Sequence, residues 1–88
     1  MKIIIKDAVG NKREFDCSKS DKLSSLLNKF KPYANQSGKI IRSITFAYGG
    51  ENYKEDDMDI SLDELGVEEG HQIVASVLYN GGKYNIFL

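Results

Sequence analysis

The chain has 88 residues, 41% of them hydrophobic, with four Phe, five Tyr and a single Pro. That is enough for one small core, and it excludes a two-domain enzyme and global disorder. Twelve basic residues against thirteen acidic ones leave a formal charge of −1, so no overall field favours nucleic acid or an anionic membrane, and the expected partners are proteins. Cys17 is the only cysteine and His71 the only histidine, which excludes an intramolecular disulfide and multi-cysteine or His-rich metal sites. A Cys17/His71 nucleophile pair is the sole conventional catalytic option left. No cofactor or metal is expected. The short apolar run Ile3-Ile4-Ile5 is closed by Lys6 and Asp7, too few residues for a signal peptide or a membrane span, so a reducing, cytoplasmic location, or a nuclear one in a eukaryote, is expected.

Ile3 and Ile5 alternate with Lys2, Ile4 and Lys6, and alternation resumes at Arg13 to Cys17 after Gly10-Asn11. This predicts a hairpin with Ile3, Ile5, Phe15 and Cys17 on one inward face. Cys17 then reads as a buried small hydrophobe rather than a nucleophile. Ser20 and Asp21 supply a helix start, and Leu23, Leu26, Leu27 and Phe30 form one apolar stripe. Pro32 limits the helix, and Tyr33 to Lys39 reads as a loop.

Ile40 to Tyr48 predicts a strand, Gly49-Gly50 a turn, and Glu51 to Tyr53 a short returning strand. Lys54 to Asp59 predicts an acidic surface loop. Its Glu55, Asp56, Asp57 and Asp59 lack the spacing of a calcium loop, so they read as solvated charge. Ser61 caps a turn over Leu62 to Leu65 that Gly66 ends, and Gln72 to Tyr79 is a final strand with Ile73, Ala75, Val77 and Tyr79 on one face. With only one helical crossover, a doubly wound parallel sheet is excluded. The expected class is α+β, a mixed sheet packed on one main helix in the order ββαββ(α)β.

The residues carrying this order resemble the ubiquitin-like β-grasp family. Met1, Ile3, Lys6, Gly10, Ser20, Asp21 and Lys29 are identical in ubiquitin over a gapless stretch to Phe30, and Ile5, Phe15, Leu23 and Leu26 keep apolar character. Ile44 to Ala47 is similar to its third strand, Leu62 to Glu69 to the corresponding part of SUMO, and His71 to Gly82 aligns with its end. The resemblance covers residues 1–82 and implies that the last strand lies centrally beside the first. It also implies that Gly81 and Gly82 are a conjugating diglycine, that residues 83–88 are an extension removed by processing, and that Lys6 and Lys29 stand at acceptor positions. The implied partners are an adenylating activating enzyme, conjugating enzymes, a processing protease and target proteins, the chain itself being a monomer without catalytic residues. The partner-binding surface falls on Ala8, Thr45 and Ser76, where apolar content is largely gone.

Two readings of the tail remain. Asn80-Gly81 is a strong two-residue hairpin signal, and such a turn sets Tyr84 beside Val77, Ile86 beside Ala75 and Leu88 beside Ile73. Against it, the β-grasp order has both flanks of the last strand occupied, by the first and third strands, which favours a removable tail. The chain is therefore expected to be a modifier made as a precursor and joined through Gly82 to lysine amines. The alternative is a non-conjugated interaction module with residues 83–88 as a strand, binding through a sheet edge or the cleft between the Arg13 to Cys17 strand and the helix.

Overall fold

The computed structural model describes residues 1–36 and 38–80. Five strands and one main helix follow in the order β1 (Lys2–Asp7), β2 (Lys12–Asp16), α1 (Leu23–Ala34), β3 (Ile40–Tyr48) and β4 (Glu51–Tyr53). A 3-10 turn (Glu55–Asp57), the one-turn helix α2 (Leu62–Leu65) and β5 (Gln72–Asn80) complete it. The strands form one mixed sheet in the order β2-β1-β5-β3-β4. The last strand lies in the middle, parallel to β1 and antiparallel to β3. The protein is α+β, with the helix and sheet sharing one core. Among the described residues no helix is long and apolar enough to cross a membrane.

Side chains alternate faces along each strand, so one set of every strand meets α1. Ile3, Ile5, Phe15, Ile44, Phe46, Ile73 and Ala75 supply that set, and Leu23, Leu26, Leu27 and Phe30 answer from the helix. Phe30 and Phe46 meet edge to face with ring centroids 6.0 Å apart. Cys17 joins this cluster, as its place two residues after Phe15 predicts.

Helix α1 begins differently from the expectation. Its N-cap is Lys22 and no side chain caps it. The amides of Leu23 and Ser24 donate instead to the carbonyls of Ile60 (3.0 Å) and Met58 (3.1 Å), and Leu62 N–H returns a bond to Asp21. The open N–H groups of the first turn are thus satisfied by a segment far along the chain, which makes a Ser20 cap unnecessary. The Asp21 carboxylate turns back to accept from Ser18 N–H. At the other end the helix runs through Pro32 to Ala34. Tyr33 and Ala34 are therefore helical rather than loop, and Ala34 is buried.

The predicted acidic loop also carries a core residue. Met58 is fully buried in the shared core cluster, while Glu55 pairs with Lys31 and Asp59 with Lys22 at the surface. Helix α2 follows its local signals. Ser61 and Glu64 form a reciprocal capping box, and Gly66 ends the turn at φ 78°, a left-handed conformation that suits glycine.

Candidate functional site

Thr45 and Ser76 stand directly opposite each other in the β3–β5 ladder. The last β1–β5 pair is Asp7 with Ala75, and Ala8 stands beyond it in the β1–β2 turn, so the sheet sets Thr45 beside Ser76 and leaves Ala8 outside the ladder. Their side chains are small or hydroxylic. The same face nevertheless exposes Val74 and Leu78, which flank Ser76 at the two-residue period of the strand, with Leu78 at 59%. Thr45 and Leu78 border a shallow depression of about 320 Å³ whose rim carries Lys54, Glu55 and Asp56. The apolar area on this face thus comes from neighbours of the expected positions. The signal that finds them is the outward half of the β5 alternation.

Lys6 and Lys29 are placed apart. Lys6 sits in β1 opposite Lys12, on the sheet face away from α1. Lys29 is on the exposed side of α1, where its ammonium donates to the Asp16 carbonyl at 2.5 Å. Gly81, Gly82 and residues 83–88 lie outside the described residues. The strand leading to them, β5, ends at Asn80, opposite Ile40.

Cys17 and His71 do not form a nucleophile pair. The Cys17 thiol packs in the core, its nearest polar partner being the Met1 carbonyl at 3.7 Å. Burial pushes its pKa up, against a weaker opposing pull from the nearby terminal amine, so little reactive thiolate forms near neutral pH. The His71 ring is held elsewhere, with Nδ1 2.7 Å from the Tyr48 hydroxyl and accepting from Glu68 N–H at 3.1 Å. Among the described residues no group of three His, Cys, Asp or Glu side chains is arranged to hold a metal.

The expectation that both flanks of the last strand are filled needs correction. β3 accompanies β5 as far as Asn80, but β1 pairs with it only from Gln72 to Ala75. Beyond Asp7 the β1–β2 turn closes on itself. Asp7 N–H donates to Asn11, Gly10 N–H to Asp7, and the Asp7 carboxylate accepts from Val9 and Asn11. The chain leaves the strand after Asp7 and turns toward β2, so among the described residues no β1 backbone continues alongside Ser76–Asn80 and this flank is unpaired. Beside that flank lies a cleft of about 290 Å³ between the β1–β2 turn, the end of α1 and β5.

No protein-family model matches the chain, and none of the curated proteins matches it.

Proposed function

We propose that this protein is a ubiquitin-like β-grasp modifier, made as a precursor and joined to other proteins through Gly82. The observation that carries the reading is the strand order β2-β1-β5-β3-β4 with one helix on one face, taken with the matching residues of the first half and the Gly81-Gly82 pair directly after the central strand. In that family a protease hydrolyses the bond after the diglycine, here Gly82–Lys83. The freed carboxylate is adenylated at the expense of ATP with release of pyrophosphate, is transferred to enzyme thiols, and forms an amide with a target lysine. Two glycines suit the threading of a narrow channel because they carry no side chain. On this reading the chemistry is supplied by the partner enzymes and the chain needs no catalytic group of its own. Lys6 and Lys29 are the candidate acceptors for chains, and Thr45 and Ser76, with Val74 and Leu78 on the same sheet face and Ala8 in the adjoining turn, are the candidate recognition surface.

Mass spectrometry of conjugates tests this, with one adjustment that the residues dictate. No Lys or Arg occurs between Glu55 and Gly82, so trypsin leaves a long branch, whereas chymotrypsin cutting after Tyr79 leaves Asn80-Gly81-Gly82 on the modified lysine. Such remnants, lost in a Gly82→Val variant, are the expected result. Recovery from its native cells of only the intact chain, with residues 83–88 retained and no conjugates, refutes the reading. One observation favours the non-conjugated module with residues 83–88 as a strand, namely the unpaired flank of Ser76–Asn80, which removes half of the steric objection to that arrangement.

A further inference from the structure

We propose that the flank of β5 left unpaired among the described residues, and the cleft beside it, form a docking groove for an extended segment of a partner protein, apolar at alternate positions and flanked by acidic residues. This goes beyond the modifier reading and does not depend on Gly82. The backbone supplies the first half of the argument. His71 C=O accepts from Ile4 N–H on the β1 side, and hydrogen-bonding groups along a strand point to alternate sides, so the odd-numbered residues of β5 face β1. After the last β1 pair at Ala75, the N–H and C=O groups of Val77 and Tyr79 therefore point to the open side. An added strand satisfies them, while the even-numbered residues keep their ladder with β3.

The side chains supply the second half. Ala75, Val77 and Tyr79 line the cleft from the sheet, Phe30 and Tyr33 from α1, and Val9 from the turn, where it is 82% exposed. An incoming strand turns every second side chain into such a cleft, and aromatic walls favour an aromatic or branched apolar residue there. The wall is pre-formed: Tyr79 OH donates to the Ala34 carbonyl at 2.5 Å and accepts from Gln36 Nε2 at 3.3 Å. Charge selects the flanks. The Arg13 guanidinium lies 4.2 Å from the centroid of the Tyr33 ring, and Lys39 Nζ lies 5.5 Å from that of Tyr79. Each lining tyrosine thus carries a cation. Among the described residues the one acid in the cleft wall, Asp7, has a carboxylate oxygen already occupied by two turn amides. Acidic residues at the ends of the bound segment complete the complementarity.

The probe is a synthetic peptide, Asp-Asp-Leu-Thr-Phe-Thr-Asp-Asp, titrated into the 88-residue protein by calorimetry and by amide exchange. A short strand in a small cleft predicts micromolar binding that weakens with salt, with exchange slowed at Val77 and Tyr79. Val77→Pro removes a donor on the open side only and should weaken binding at least tenfold. Arg13→Glu with Lys39→Glu, both exposed, keeps the test sharp if the proline variant fails to fold. It should weaken the acidic probe about tenfold and leave a version with serine flanks unchanged. The proposal is overturned by absence of binding at millimolar peptide, or by full binding to the charge-reversed protein. It is equally overturned if Val77 and Tyr79 are already protected in the peptide-free protein. Protection lost in a form ending at Gly82 then assigns the groove to the chain's own C-terminal residues, and protection that grows with protein concentration assigns it to a second copy.

Discussion

Leu26→Ala probes the contact on which the fold depends most directly, the helix stripe against the sheet. Leu26 is 1% exposed and shares its cluster with Ile3, Ile5, Phe46 and Ile73. Truncation removes three carbons, worth about 2.4 kcal/mol at roughly 0.8 kcal/mol per buried group. A residual cavity of about 50 Å³ adds about 1 kcal/mol at roughly 24 cal/mol per Å³. The walls relax in part, so the expected loss is about 2–4 kcal/mol. Total stability for a chain this size is of order 4–13 kcal/mol, so the variant gives up a large share. In a urea titration with a slope of about 1–1.5 kcal/mol per M, the midpoint should fall by roughly 1.3–4 M. Ser25→Ala, one position away on the exposed side, is the control and should stay within about 0.5 kcal/mol. A loss below about 0.5 kcal/mol for Leu26→Ala, with the slope unchanged, would refute the packing of this face against the sheet.

Met58→Ala should cost about 2–4 kcal/mol, while Asp56→Ala in the same acidic stretch changes stability by less than about 0.5 kcal/mol; equal effects in denaturant melts would contradict the burial of Met58. Ser61→Ala removes the acceptor for Glu64 N–H, 3.0 Å away, and should cost about 1 kcal/mol, read as a lower thermal midpoint. Burial raises the Cys17 pKa above its ordinary 9.0, so the unfolded chain ionises first. Stability from the neutral thiol is complete well below pH 9 and falls as pH rises past 9 toward the higher folded value. The difference in stability between wild type and Cys17→Ala should therefore shrink between pH 8.5 and pH 10.5, and a difference constant with pH would refute the shift.

What the residues alone determined is whatever depends on neighbours in the chain. The alternation of Ile3, Ile5 and Phe15, the stripe from Leu23 to Phe30, the Gly49-Gly50 turn and the Ser61/Glu64 box with Gly66 all follow from steric and hydrogen-bonding rules acting over a few residues. The rest required distant groups to meet. The β3–β5 ladder sets Thr45 opposite Ser76, a pairing that depends on which strands are neighbours. Helix α1 starts at Leu23 because carbonyls of Met58 and Ile60 reach its first amides, and no property of Ser20 or Asp21 announces them. Met58 is buried in the core cluster, with its carbonyl bonded to the first turn of α1, although its sequence neighbours are acids that belong in water. Among the described residues β5 has an open flank because β1 ends at Asp7, where the chain turns toward β2, while β3 runs on to Asn80. The lengths of two neighbouring strands are set independently by their own turns, and only their pairing in space reveals where one outlasts the other.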